Sequence, residues 1–423
     1  MKSILVSTIP SWSQHSGSNT FSTILEDIDG VSISNIYFRA DSPDSNVAKR
    51  YFHIIENRVI KSIFNRKIKT GEKVECSVQR TDVNEENMIE QKRYSYFSRN
   101  RNCFFLWGRE LLWKVGRWKS PELDCFLDEI NPDIFMLTIE SYPYFNRVNE
   151  YIIKRCKPKQ IIVYWWDDNF TYKQSHHLSH YISRFFIRKA AKRIMKQATD
   201  VIAISPKMKQ ECDDFFGVDS TIITKPVRSM ETPQYIRDET KPIRFLYTGS
   251  MIIGRQKTLI SLAKILQKIN ANGKKAFLDI YSNTKLNSKD ADALNIPGSC
   301  EIKGAIPQSQ VFEEQINSDV LVFVESFDSK VARLSFSTKI TDYLSSRRCI
   351  LAIGPNDISS MEYLGTENAA LTCFNEQQLE ENVSALINRP NLIAEYADKG
   401  WQCGEHNHSK EKIKSSLRNI LFR

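Results

Sequence analysis

The sequence predicts an α/β protein of two Rossmann-like domains facing across a cleft, and three observations carry that expectation. The chain has 423 residues, too many for one hydrophobic core. Short apolar runs recur with helical stretches between them, the pattern of parallel βαβ units. The runs fall into two sets, separated by residues 225–242, which hold three prolines, mixed charge and no periodicity.

Taken in order, the first set reads as strands at 3–9, 31–38, 134–138, 161–165 and 201–204. The second reads as strands at 245–247, 277–281, 320–323 and 350–353. Residues 51–64 read as helical, and 69–91 as a polar, mobile loop. A helix of about ten residues starts at Ser337 and feeds the last strand, which ends at Gly354-Pro355. The expected division is a first domain at 1–225, a linker at 226–242, a second domain at 243–400, and a C-terminal helix at 401–423 packing back toward the first domain. In open parallel sheets ligands lie beyond the carboxyl ends of the strands, so chemistry is sought in the loops that follow them.

The formal charge is +9, and its distribution is uneven. Residues 1–150 hold 20 Lys+Arg against 20 Asp+Glu, 151–225 hold 14 against 7, and 226–423 hold 25 against 23. The excess is one basic band. Nine cysteines lie far apart without zinc-site spacing, which predicts reduced thiols. The opening MKSILVSTIP is too short an apolar stretch for a signal peptide, and no run approaches the roughly 20 apolar residues of a membrane span. The expectation is a cytoplasmic protein, in contact with the inner face of the cell membrane at most peripherally.

After the first strand of the second set comes YTGSMIIGRQKTLISLAKIL. Gly249 and Ser250 end the strand, Gly254 permits a tight turn, and Arg255 and Lys257 stand at the mouth of an amphipathic helix. A Gly-containing turn, two cations and a helix start suit a phosphate; a strand-to-helix turn with surface cations has the same local form. Further on, STKITDYLSSRRCILAIGP places Thr338, Lys339 and Asp342 at another helix start. The Lys can add to an anion site and the carboxylate can accept two vicinal hydroxyls, although a carboxylate there also compensates the helix dipole.

The order and spacing of Gly249, Arg255-x-Lys257, IKGAIP with Gly304, SDVLVFVES with Glu325 and Ser326, and the Asp342 helix resemble the nucleotide-binding half of group 1 (family 4) glycosyltransferases of the GT-B fold. In that family the second Glu of an E-x7-E motif binds the ribose, and Asp342 falls on it. Leu334 stands where the first Glu belongs, with Glu325, Ser326 and the loop to Ser337 as substitutes. The resemblance implies a retaining transferase that uses a nucleoside diphosphate sugar as substrate and no cofactor. Arg255 and Lys257 would stabilise the departing diphosphate, helped by Lys339. It makes the second domain the donor side and the first the acceptor side. The acceptor would be lipid-linked or a saccharide, in cell-surface polysaccharide synthesis.

In the first half KQIIVYWWDDNFTY puts Asp167 just past a strand, where the family often has His-Asp facing the donor sugar. ATDVIAISPKM looks like another family strand and loop, ending at Ser205. PSWSQHSGSNT places His15, Gly17, Ser18 and Asn19 in the acceptor-side loop after the first strand. Residues 183–196 plot as a helix with Arg184, Arg188, Lys192 and Lys196 among its cations on one side and Phe186, Ile187, Ala190 and Ile194 opposite, a form that suits an anionic bilayer or an ordinary packed helix. The stretch 99–119, with Trp107, Trp113 and Trp118 among basic residues, also suits a bilayer interface or a core. No nucleic-acid motif is present. The D-x-D pairs Asp27/Asp29 and Asp290/Asp292 lie away from strand ends, and His176, His177 and His180 lack an acidic third ligand, so no metal site is expected. A sugar-nucleotide epimerase of the same fold and a non-catalytic nucleotide-sugar or membrane-binding protein are the alternatives.

Overall fold

The computed structural model describes residues 1–12, 20–76, 103–228 and 231–423. The chain forms two compact units: residues 1–204 with 209–223 and 416–423, and residues 205–208 with 224–415.

The first unit is built on β1 (Lys2–Ser7), β2 (Val31–Tyr37), β3 (Arg50–Ile54), β4 (Gly71–Val74), β5 (Ile134–Thr138), β6 (Gln160–Trp165), β7 (Asp200–Ala203) and β8 (Thr221–Ile222), in the order β4-β3-β2-β1-β5-β6-β7-β8. Only the β3–β4 pair is antiparallel. The sequential order of the strands reverses between β1 and β5, which makes their carboxyl ends the switch point of this sheet. Every residue of β5 is buried, as expected of a parallel strand covered on both faces. The last residues of the chain belong to this unit. Gln160 Nε2 donates to Ile420 O at 2.8 Å, Lys2 Nζ donates to Leu421 O at 2.7 Å, and Arg423 pairs with Asp200.

The second unit holds β9 (Ile243–Thr248), β10 (Ala276–Tyr281), β11 (Cys300–Gly304), β12 (Val320–Val324), β13 (Cys349–Ile353) and β14 (Leu371–Cys373), all parallel, in the order β11-β10-β9-β12-β13-β14. Counted within the unit this is 3-2-1-4-5-6, the doubly wound order that binds nucleotides at its reversal. The reversal lies between β9 and β12. Both β12 and β13 are buried at every position, so their near-continuous apolar runs are what the core requires.

Three expectations need correction. Residues 51–64 do not form one helix: β3 covers Arg50–Ile54, and a short helix follows at Glu56–Lys61. Tyr51, Phe52 and Ile54 are buried between β2 and β4, and burial on both faces erases the alternation that identifies a strand. Residues 71–74, read as part of a loop, form the antiparallel edge strand β4, and residues 77–91 of that reading lie outside the described residues. The helix expected from Ser337 runs from Lys339 to Ser345, shorter than anticipated.

Candidate functional site

The switch point of the second unit gathers side chains from the exits of β9 and β12 and from the helix that follows β12. After β9 the chain turns at Gly249, with φ +137°, and at Gly254, with φ +83°, before the helix Arg255–Ile269. Both positions need glycine for space as well as for φ. A Cβ on Gly249 would stand 2.1 Å from Lys339 Nζ, and one on Gly254 would stand 2.4 Å from Ser326 Oγ. After β12 comes Glu325, and Arg255 crosses the reversal to meet it through a fork: Nη2 to Oε1 at 2.9 Å and Nε to Oε2 at 3.1 Å. Such bidentate pairs fix a guanidinium in plane. Arg255 Nη1 has no partner among the described residues.

Burial raises the pKa of Glu325, and the nearby Arg255 and Lys339 work against that rise. Lys339 comes from the helix Lys339–Ser345, where Gly249 lets its side chain pass. Its ammonium lies 4.8 Å from the centroid of the Tyr247 ring. Burial is the main cause that lowers its pKa to about 8, and Arg255 adds to the shift while Glu325 opposes it. One carboxylate thus stands among two cations, a positive excess suited to an anion.

Asp342, on the same helix three residues on, has a side chain only 14% exposed. Its Oδ1 meets Lys225 Nζ at 3.0 Å and Arg228 Nε at 3.3 Å, while Oδ2 has no partner among the described residues. The interdomain stretch is also tied to this helix through Arg228 N to Ser345 Oγ at 3.0 Å and Thr232 Oγ1 to Ser345 O at 2.8 Å. Sequence reading had no means to supply Lys225 and Arg228, which lie more than 110 residues from Asp342.

The remaining donor-side candidates are placed as follows. Ser250 sits in the β9 exit, where its carbonyl accepts from Tyr247 Oη at 2.6 Å. Ser326 is buried beside Gly254, and Thr338 directly precedes the Lys339–Ser345 helix. Lys257 is exposed and pairs with Asp328 at 2.9 Å, so it stands at the rim of the cluster. Gly304 ends the edge strand β11 with φ +83°, and its carbonyl accepts from Ser282 N. It belongs to the outer side of the sheet, away from the Arg255–Glu325 pair.

In the first unit Asp167 is exposed in the loop after β6. Its neighbour across the switch-point edge is Glu140, two residues past β5, which sequence reading passed over. Glu140 Oε1 accepts from Thr138 Oγ1 at 3.0 Å and from Trp166 Nε1 at 3.2 Å. Burial, and secondarily the charge of Asp167, push its pKa up to about 7. The available signal was a carboxylate directly after an apolar strand, in LTIESYP. Gly17, Ser18, Asn19 and His15 lie outside the described residues.

The basic helix, Leu178–Met195, requires a correction. Arg184 does not face outward: it is 4% exposed and donates to Gln174 Oε1 at 2.8 Å and Asn169 Oδ1 at 3.3 Å. Arg188 lies over the rings of Tyr172 and Phe215, while Lys192 and Lys196 are exposed. Phe186 is exposed rather than packed inward, as are Leu178, Ile182 and Phe185. Helix Cys103–Val115 adds exposed Trp107, Leu111 and Val115, and the Trp107 and Phe186 rings meet at 5.6 Å. Trp113 and Trp118 are buried. Among the described residues no helix is long and apolar enough to cross a membrane, and no three His, Cys, Asp or Glu side chains are grouped to hold a metal ion.

No family model matches the chain, and no curated protein matches it in sequence. Solved structures do match in fold. Sucrose-phosphate synthase from Thermosynechococcus elongatus superposes with TM-score 0.63 at 12% identity, over 100% of this chain and 98% of that one. A mutant of S. aureus TarM in complex with Fondaparinux, alpha-GlcNAc-glycerol and UDP gives 0.61 at 11% identity, over 100% of both chains. WaaG, a glycosyltransferase involved in lipopolysaccharide biosynthesis, gives 0.57 at 10% identity, over 99% of both. With two Rossmann-like α/β domains and these full-length superpositions, the chain has the GT-B fold.

Proposed function

We propose that the protein is a metal-independent glycosyltransferase of the group 1 (family 4) type, which transfers a sugar from a nucleoside diphosphate donor with retention to a saccharide or lipid-linked acceptor in cell-surface polysaccharide synthesis. The observation that carries the reading is the cationic cluster of Arg255 and Lys339 around Glu325 at the switch point of the second unit. In this role the diphosphate takes the free edge of the Arg255 guanidinium and the Lys339 ammonium, with Lys257 reaching in from the rim. Charge that develops on the leaving group meets fixed cations, which require no reorganisation at the moment of reaction. Glu325 acts as the brace that orients Arg255, the task left open by Leu334. Asp342 offers Oδ2 to the ribose while Oδ1 stays with Lys225 and Arg228. Retention rests on the family resemblance. That WaaG is a glycosyltransferase and that the TarM mutant was solved with UDP support the donor class.

The test is a thermal-shift screen against UDP, GDP, ADP, CMP and their common sugar conjugates. Ligand at 100 times its dissociation constant stabilises by about 2.7 kcal/mol. One nucleotide should shift the melt, and Asp342→Ala should weaken its binding by about 1.5–3 kcal/mol, the scale of a charge-assisted hydrogen bond. Undiminished binding by the variant removes Asp342 from the site, and no shift with any nucleotide favours the non-catalytic alternative. Donor turnover without an acceptor would favour the epimerase.

The same reading includes peripheral contact with an anionic membrane through the first unit. Exposed Leu178, Ile182, Phe185 and Phe186 adjoin Trp107 and Leu111, and Lys189, Lys192 and Lys196 supply the charge. Each near-surface cation contributes about 1 kcal/mol, and the apolar side chains contribute by burial in the interface. Co-sedimentation with phosphatidylglycerol vesicles should therefore be strong, weaker on neutral phosphatidylcholine, and lost in a Phe185→Ser, Phe186→Ser double variant. Equal recovery on both vesicle types would exclude the charged contact.

A further inference from the structure

The segment by which the chain enters the second unit, residues 224–228, is anchored within that unit along two sides. On one side Val227 N donates to His408 O at 2.9 Å, and Thr224 Oγ1 lies 2.6 Å from His408 Nδ1, whose other ring nitrogen is 2.7 Å from Tyr363 Oη. On the other side Lys225 Nζ and Arg228 Nε both donate to Asp342 Oδ1, at 3.0 Å and 3.3 Å, and Arg228 N donates to Ser345 Oγ at 3.0 Å. The Lys225 and Asp342 side chains are only 11% and 14% exposed. A carboxylate has about two acceptor positions on each oxygen. Two cationic donors therefore fill Oδ1, and Oδ2, without a partner among the described residues, is what remains for a ligand hydroxyl.

We propose that Lys225 and Arg228 are positioning residues that act through Asp342 and determine how the nucleotide is recognised: its ribose is held through one hydroxyl, donated to Oδ2, rather than through both. The proposal deepens the donor-site reading above and rests on it. A carboxylate with both oxygens open can take two vicinal hydroxyls, one on each oxygen, and the two cations close that mode. The ligand does not displace them. A largely buried ammonium stripped of its carboxylate costs more than a single hydroxyl hydrogen bond returns. The backbone bonds of Val227 to His408 and of Arg228 to Ser345 also keep both cations from swinging away. Lys225 is the stronger of the two, because the Arg228 side chain is 44% exposed and its charge is better screened by water.

The experiment takes the nucleoside diphosphate, among UDP, GDP and ADP, that shifts the melt, together with its 2′-deoxy and 3′-deoxy forms, and reads dissociation constants by calorimetry. On the wild type one deoxy form should bind about 10–100-fold more weakly than the parent, the scale of a hydrogen bond to a charged group, and the other within about threefold of it. Lys225→Met opens Oδ1 to the second hydroxyl and should narrow the gap between the two deoxy forms, and Arg228→Met should narrow it less. Asp342→Asn should close most of the gap by itself, and Lys225→Met added to it should change the gap no further. A side chain that only supports the fold weakens the parent and both deoxy forms alike and leaves the gap where it was. Lys225→Arg restores a cationic donor and should recover the wild-type gap. If Lys225→Met does not fold, Arg228→Met at the more exposed position carries the test. Equal losses for the two deoxy forms on the wild type, or a gap that neither Met variant moves, overturn the proposal and leave the donor-site reading standing. A protein that binds none of the three diphosphates overturns both.

Discussion

Arg255→Ala is expected to lose both activity and stability. Arg255 Nη2 and Nε hold the two oxygens of Glu325, whose side chain is only 7% exposed. Without the guanidinium that buried carboxylate loses its fork, and breaking a buried pair from one side costs about 3–5 kcal/mol. The upper part of that range is softened here because Lys339 remains near Glu325. On the catalytic side, removing one preorganised donor from a site of developing negative charge costs about 10²–10³ in kcat. Arg255→Lys separates the two effects. It retains a charge for the diphosphate but not the planar fork, so it should keep more donor affinity than the Ala variant while still melting below wild type. The measurements are chemical denaturation of the free proteins and kcat with saturating donor. If Arg255→Ala turns over at the wild-type rate, Arg255 serves Glu325 alone and the diphosphate has another partner.

What the sequence disclosed follows from where information is local. Interior strands of both sheets were legible because burial on two faces demands continuous apolar runs, as in β5, β12 and β13. Strands β4, β8, β11 and β14 are short or lie at the sheet margins, with polar residues that read as loop. β3 was hidden by its own burial. The donor-side residues could be named because they follow strands, yet their partners could not. Glu325 reaches a residue 70 positions away, and Asp342 reaches 114 and 117 positions back. Arg184 shows the limit of a helical wheel. The plot counted it among solvated cations, whereas Gln174 and Asn169 draw it under the β6 exit loop. Glu140 is the complementary case, since its acidity depends on burial and on neighbours from another strand exit.

Lys339 should respond in the opposite sense to Arg255, gaining stability where Arg255 variants lose it. Burial of its ammonium, and secondarily the charge of Arg255, lowers its pKa in the folded protein from 10.5 to about 8. Below pH 8 it is charged in both the folded and unfolded chains, so the penalty for burying that charge is fully present. Between pH 8 and 10.5 the unfolded chain binds more protons than the folded one, and the penalty is relieved as pH rises. Lys339→Met keeps the length and apolar packing of the side chain without the charge. The variant should therefore melt above wild type at pH 7, with the difference shrinking towards pH 10. A bound diphosphate reverses the balance, because its negative charge favours the protonated amine and should raise the pKa. Nucleoside diphosphate affinity of the wild type should then hold steady up to about pH 8 and fall by roughly tenfold per pH unit above it, until the pKa of the bound state is reached. Lys339→Met should bind more weakly at pH 7, by about 1.5–3 kcal/mol, and should lack this fall. Titration calorimetry at pH 7, 8 and 9 reads both quantities, with proton uptake on binding visible near pH 8 as a dependence of the heat on buffer. A wild-type affinity that is level from pH 7 to 9, together with a Met variant no more stable than wild type, would mean that Lys339 supports the Tyr247 ring and Gly249 turn and does not touch the ligand.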